Sequence, residues 1–206
     1  DDYLFEYHYL IEIALFVAAM YRNGMSNKET IYLIKAILKT GERFSVKDKF
    51  VVDKHSIGGV AGNRTTPIVV SICAAAGLKF PKTSSRAITS AAGTADVMET
   101  IMKVGFPISE LKKILKKTNA FIVWGGGMGT VPADSKIIRV ERELKIDPKS
   151  QLLASIMSKK FAVGSKYILI DIPYGKTAKM PTRKKAISLA RKFLQLGRYF
   201  HKKMRV

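Results

Sequence analysis

Acid is what this sequence is short of: 16 Asp and Glu stand against 36 Lys and Arg, a formal net charge of +20. A field of that sign favours nucleic acids, anionic membranes or phosphorylated small molecules, and by itself it does not choose among them. Cysteine is almost absent. With Cys73 alone, no disulfide framework or cysteine zinc site can form within the chain, which suits a reducing cytoplasm; the residue falls on a predicted Ala-rich helix and reads as core. The three histidines, His8, His55 and His201, are isolated, and no carboxylate cluster sits near the glycine turns, so metal-ligand spacing is missing. Long apolar runs are missing too. The longest near the start, Leu10 to Met20, contains Glu12 and is too short to cross a bilayer, and there is no signal-peptide pattern. No internal repeat or low-complexity segment is present. The chain begins at Asp1 without a methionine and ends on Met204, Arg205 and Val206, as a new strand might begin, which reads as a fragment.

What remains is ordinary globular material, 47% hydrophobic and 25% charged, enough in 206 residues for one large domain or two small ones. The stretch from Phe50 to Glu99 organises it. Phe50 to Val52 are apolar and β-prone; the chain is then expected to turn through Asp53, Lys54, His55, Ser56, Ile57, Gly58 and Gly59 into an alanine-rich helix closed by Gly77. Backbone N–H groups at a glycine turn and helix N-terminus, the hydroxyls of Ser56, Thr65 and Thr66, and the Lys54 charge can converge on one anion. A second turn repeats the chemistry with Thr83, Ser84, Ser85, Arg86, Thr89, Ser90, Gly93 and Thr94. Two such turns at the carboxyl ends of neighbouring strands make a site in an open α/β sheet.

Before this stretch, residues 7–23 carry a helical stripe of Leu10, Ile13, Ala14, Val17, Ala18 and Tyr21, stopped by Gly24. Ser26 and Glu29 form a capping-box pattern opening a second helix to about Lys39. After it come a lysine-rich helix from Pro107, a strand from Phe121 to Trp124, and a glycine loop through Gly129. Helices follow over Pro132–Leu144 and from Asp147-Pro148 to Gly164, then a strand Tyr167–Ile172, and a last helix capped by Thr182. No carboxylate follows Asp171, whereas 11 Lys or Arg occur from Lys176 onward. The expected fold class is α/β, a mostly parallel sheet flanked by helices plus a small all-helical lobe. The lobes are placed at residues 1–44 and 132–164 (helical) and 45–131 and 165–206 (α/β, incomplete at its C-terminus).

The run from Asp53 to Val60, DKHSIGGV, closely resembles the signature of the thymidine and pyrimidine nucleoside phosphorylases. The resemblance continues through Gly93, Thr94, Ala95 and Asp96, the SIMSKK run from Ser155 to Lys160, and IDIPYGKTAKMPT from Ile170 to Thr182. Where the pyrimidine enzymes carry GDVTS and GRGLGHTGGT, this chain has AGNRTT (Ala61 to Thr66) and SSRAITSAAGT (Ser84 to Thr94), which look like the archaeal-type branch, the AMP phosphorylases. That resemblance implies the nucleoside phosphorylase class II fold, truncated here, and the conversion of AMP and phosphate to adenine and ribose 1,5-bisphosphate, with CMP and UMP as further substrates. It also implies a homo-oligomer, no cofactor beyond phosphate as co-substrate, and a cytoplasmic location with no membrane or nucleic-acid partner. Carried over residue by residue, nucleotide-binding positions fall on Gly59, Ser85, Arg86, Ala87, Ile88, Thr89, Ser90, Thr94, Ser155 and Lys179, and the proton donor to the departing base on Asp147. Lys54 and Ser56 match phosphate-binding positions of the pyrimidine relatives, and Lys159 a base-contacting lysine. The base-contacting arginine of those relatives has no secure counterpart; Arg139 and Arg142 are near.

Breaking an N-glycosidic bond requires a nucleophile for the cationic sugar and a proton for the departing base. Lys54, Ser56 and Thr94 are expected to hold inorganic phosphate, and Arg86 and Lys179 to neutralise the 5′-phosphate that a nucleotide substrate adds. Asp147 needs a raised pKa to donate near neutral pH, and Asp before Pro is also an ordinary helix N-cap. His55 reads equally as a structural imidazole. Three other readings stand beside this one: a pyrimidine nucleoside or thymidine phosphorylase, a basic RNA-binding module using Tyr199 and Phe200 beside Arg198 and Lys202, and a noncatalytic fragment that only dimerises. Asp147, Ser155 and Lys159 must fold back over the opening stretch and Lys179 must reach it from a later loop, so the site is expected in a cleft between lobes.

Overall fold

Gly24 takes a left-handed φ of +70° that ends the first helix, α1 (Asp2–Asn23), and Ser26 starts the second, α2 (Asn27–Lys39). A computed structural model describes the backbone of residues 2–206 apart from 59, 61, 63, 89 and 90, and the side chains from residue 8 on. The capping box forms as the pattern predicts: Glu29 N donates to Ser26 Oγ at 3.2 Å and Ser26 N donates to the Glu29 carboxylate at 2.7 Å. The buried stripe of α1 is Ile13, Val17 and Met20, packed on Ile137 and Val140 of α6 (Pro132–Leu144). Ala18 and Tyr21 of the expected stripe are exposed, because the i, i+4, i+7 positions that face α6 begin at Ile13.

Among the described residues five short strands form the sheet layer: β1 (Val52–Ser56), β2 (Phe80–Ser84), β3 (Ala120–Trp124), β4 (Tyr167–Asp171) and β5 (Lys203–Arg205). Their pairings are parallel, in the orders β1-β4-β5 and β2-β3, and a bridge between Val51 and Lys79 links the two ladders. The expected turn from Asp53 is overturned here. Asp53, Lys54, His55 and Ser56 belong to β1, in register with Ile168 to Asp171, and Thr83 and Ser84 belong to β2. Polar residues persist in these strands because the ladder satisfies their backbone and their charges are paired: Lys160 Nζ lies 2.8 Å from Asp53, and Lys54 Nζ lies 3.1 Å from Asp171.

Helices α3 (Thr65–Ala75), α4 (Thr94–Glu99) and α5 (Ile108–Thr118) connect the strands, α7 (Lys149–Ala162) precedes β4, and α8 (Arg183–Tyr199) precedes β5. The lysines of α5 are exposed while Leu111 and Leu115 are buried. Cys73 is half-buried on α3 rather than part of the core. The largest core cluster joins Ile34 and Ile37 of α2, Leu153 and Met157 of α7, Ile168 and Ile170 of β4, and Leu189 and Phe193 of α8. Because the strands run parallel, the loops after β1, β2, β3 and β4 all open on one edge. Among the described residues no helix is long and apolar enough to cross a membrane.

Candidate active site

The cleft at that edge is built from three sources: the end of β1 and its loop (His55, Ser56, Ile57, Gly58), the end of β2 and its loop (Lys82, Ser84, Ser85, Arg86), and the helices above them. Thr94 opens α4 at the cleft wall, and Glu141 of α6, Asp147, and Ser155 of α7 close it from the other side. Lys179, in the loop between β4 and α8, completes the lining. Gly93 holds two of these pieces together. An added Cβ there would lie 2.3 Å from the Ser85 carbonyl oxygen, so the α4 N-terminus and the 85–87 loop can meet only over a glycine. Asp96 locks the contact by accepting from the backbone N–H groups of Gly93 and Ala87, both at 2.8 Å.

The structure therefore brings Ser56, Ser85, Arg86, Ala87, Ile88, Thr94, Asp147, Ser155 and Lys179 to one cleft. Gly59, Thr89 and Ser90 lie outside the described residues. Lys54 stands behind the wall: it is buried, donating to Thr65 Oγ1 at 2.8 Å and to Asp171 at 3.1 Å. Lys159 is likewise buried in an ion pair with Asp134, and donates to Ser155 Oγ at 2.6 Å. Neither cation at the cleft mouth is unpaired. Arg86 lies over the Trp124 ring at 4.8 Å and makes a two-pronged pair with Glu99, which raises its pKa further; Lys179 pairs with Asp147. A substrate phosphate must share or displace these carboxylates.

The N-cap reading of Asp147 fails. Helix α7 begins after Pro148 with no side-chain cap, and the Asp147 carboxylate instead accepts from Lys179, its Oδ1 sealed without a partner. Its neighbour Glu141 is 1% exposed, and burial, with Asp147 and Asp134 close by, pushes its carboxyl up to about 9. Glu141 therefore carries a proton at neutral pH. His55 is held neutral: burial first, then the charges of Lys82, Lys160, Lys159 and Lys54, put its pKa well below the ordinary value, and its Nδ1 has no partner. Glu141 and Lys82 escape a motif-based reading, although a lysine in the middle of a short buried strand is itself a signal. The Tyr199–Phe200 cluster, by contrast, is engaged within the fold. Lys35 donates to the Tyr199 hydroxyl at 2.8 Å, and Phe200 packs on Phe161.

Residues 48–189 match the model of the glycosyl transferase family, a/b domain. The chain is 53% identical over 187 residues to the AMP phosphorylase of Pyrococcus furiosus, and 53% identical over 188 residues to that of Thermococcus kodakarensis. Each match covers 91% of this chain and 37% of the relative, so the chain spans well under half the length of these proteins. Among solved structures, the fold is that of anthranilate phosphoribosyltransferase from Saccharomyces cerevisiae, with a TM-score of 0.68 at 15% identity, covering 93% of this chain and 50% of that one. The Thermus thermophilus enzyme matches with a TM-score of 0.63, also at 15% identity, over 91% of this chain and 59% of its own.

Proposed function

This chain belongs to the glycosyl transferase family whose a/b domain it carries, and from that premise we propose that its cleft serves phosphorolysis of nucleoside 5′-monophosphates. AMP and phosphate would give adenine and ribose 1,5-bisphosphate, with CMP and UMP as further substrates. The observation that carries this reading is the composition of one cleft: the hydroxyls of Ser56 and Thr94, the cations Arg86 and Lys179, and the carboxyls Asp147 and Glu141. A nucleoside needs one anion site for the attacking phosphate; a nucleotide needs a second for its own. Ser56 and Thr94 hold the nucleophile under the sugar, and Lys54 stiffens the end of β1 from behind. Arg86 and Lys179 receive the 5′-phosphate.

Asp147 supplies the proton to the base. Its carboxylate is paired with Lys179, and a 5′-phosphate that engages Lys179 would compete for that cation and release the Asp147 carboxyl toward the base. Glu141 holds a proton beside it. Proton delivery of this kind contributes on the order of 10²–10⁴ in rate. The homo-oligomer that the resemblance implies would also cover the outer face of α1, where Ile11, Leu15 and Phe16 stand exposed.

Adenine release from AMP and phosphate is the test, run on this chain and on a longer parent. Asp147→Asn should retain AMP binding and lower turnover by on the order of 10² or more. Unchanged turnover removes Asp147 from the donor role, and no adenine from the unaltered parent overturns the activity.

A further inference from the structure

The glycine run after β3 and the arginine at the cleft mouth meet through one side chain. Trp124, the single tryptophan of the chain, ends β3 in register with Ser84 of β2, and its backbone N–H donates to the Val104 carbonyl at 2.9 Å. The short 3₁₀ turn Gly125–Met128 then folds back against the indole. An added Cβ on Gly126 would lie 2.6 Å from Cζ2 and 2.9 Å from Nε1 of that ring, and one on Gly127 would lie 3.1 Å from Cε3. Two consecutive glycines thus reach opposite edges of the indole, an approach that side chains would prevent. The ring so fixed carries the Arg86 guanidinium, whose Cζ stands 4.8 Å from the centroid.

Carboxylates fix the far end of the same guanidinium. Nη1 donates to Asp96 at 3.3 Å and also to Glu99, and Nη2 donates to Glu99 at 2.8 Å. Three of the five N–H groups are thereby used. Among the described residues nothing accepts from the other two, one on Nε and one on Nη2, which lie side by side along one edge of the planar group. That parallel pair is the fork that takes two oxygens of one phosphate. Stacking on Trp124 fixes the plane of the fork, and the two acids fix its rotation within that plane.

We propose that Trp124 is a positioning residue that selects nucleoside monophosphates over nucleosides by presenting the Nε–Nη2 fork of Arg86 to the 5′-phosphate, an inference that rests on the nucleotide reading above. Arg86 lines the cleft and Trp124 does not, so the indole acts only through the arginine. Lys179, the other cation at the mouth, offers a point charge without a fixed fork. The 5′-phosphate is held equally before and during bond breaking, so loss of the platform falls on KM rather than on kcat.

The test compares Trp124→Leu and Trp124→Phe with the unaltered protein, in the 206-residue chain and in a longer parent. AMP and adenosine are titrated separately by calorimetry and, in the unaltered chain, by the emission of its single tryptophan. AMP should change that emission and adenosine should not. Trp124→Leu should weaken AMP binding about tenfold and leave adenosine within about twofold, and Trp124→Phe, which keeps a ring under the guanidinium, should recover most of the loss. In the parent, KM for AMP should rise by the same factor with kcat within about twofold. Equal losses for AMP and adenosine, unchanged AMP affinity in a folded Trp124→Leu, a fall in kcat at unchanged KM, or no AMP binding by the unaltered chain would each overturn the proposal. Should neither variant fold, the emission decides: no response to AMP, or an equal response to adenosine, overturns it. AMP binding that depends on Trp124 without adenine release in the parent would sink the phosphorolytic reading and leave the positioning role standing.

Discussion

At the scale of single residues, the cleft is governed by how charges are paired once they leave water. Glu141 shows the consequence most directly. Its carboxyl is pushed up to about 9 by burial and by Asp147 and Asp134, against a carboxyl near about 4.3 in the unfolded chain. Between these values the native state holds a proton that the unfolded state has released, so this residue's contribution to stability falls as pH rises and levels off above about 9. Glu141→Gln should flatten that slope, read as melting temperature against pH from 5 to about 9. A variant whose slope matches the parent's would show that the carboxyl is not protonated in the fold. His55 acts at the other end: with its pKa depressed, the unfolded chain takes up a proton first as pH falls below about 6.5, and stability is lost with acid.

Among elements, the loop after β2 and the short α4 behave as one piece. Gly93→Ala places a Cβ 2.3 Å from the Ser85 carbonyl oxygen, and backbone cannot move aside as a flexible side chain would. The expected outcome is a protein that retains its far-UV circular dichroism and loses about tenfold or more in AMP affinity, because Ser85 and Arg86 shift. Native AMP affinity in this variant would show that the loop tolerates the displacement. The α1–α2 hairpin offers a control remote from the cleft. Ser26→Ala removes one capping hydrogen bond, at a cost of about 1 kcal/mol, which in a protein of this size lowers the melting temperature by about 2–4 °C with no change in ligand affinity.

Across the whole molecule the scarcity of acid becomes a matter of placement. Asp53, Asp134, Asp147 and Asp171 are all drawn into ion pairs in or behind the cleft, which leaves the rest of the surface strongly positive. Self-repulsion of that kind is screened by salt, whose Debye length shrinks from about 30 Å at 0.01 M to about 8 Å at 0.15 M. Sodium chloride over that range should therefore raise the melting temperature, and a flat or falling curve would mean that the excess cations are too dispersed to repel. Any binding of RNA should collapse over the same range.

The sequence alone determined the elements whose causes are local. The capping box at Ser26, the Thr182 cap, the exposed lysine face of α5 and the alternation of strands with helices follow from neighbours within a few residues, and the structure has them all. The run from Asp53 to Val60 also carried the family. Tertiary structure decided which polar residues enter the sheet and which charges meet. Asp53 and Lys54 look like a turn until Lys160 and Asp171 arrive to pair them, over separations of more than 100 residues in the chain. Asp147 looks like a helix cap until Lys179 claims its carboxylate. The physical reason is common to all of these: a charge's role depends on its desolvation and on its partner, and both are fixed by contacts distant in sequence.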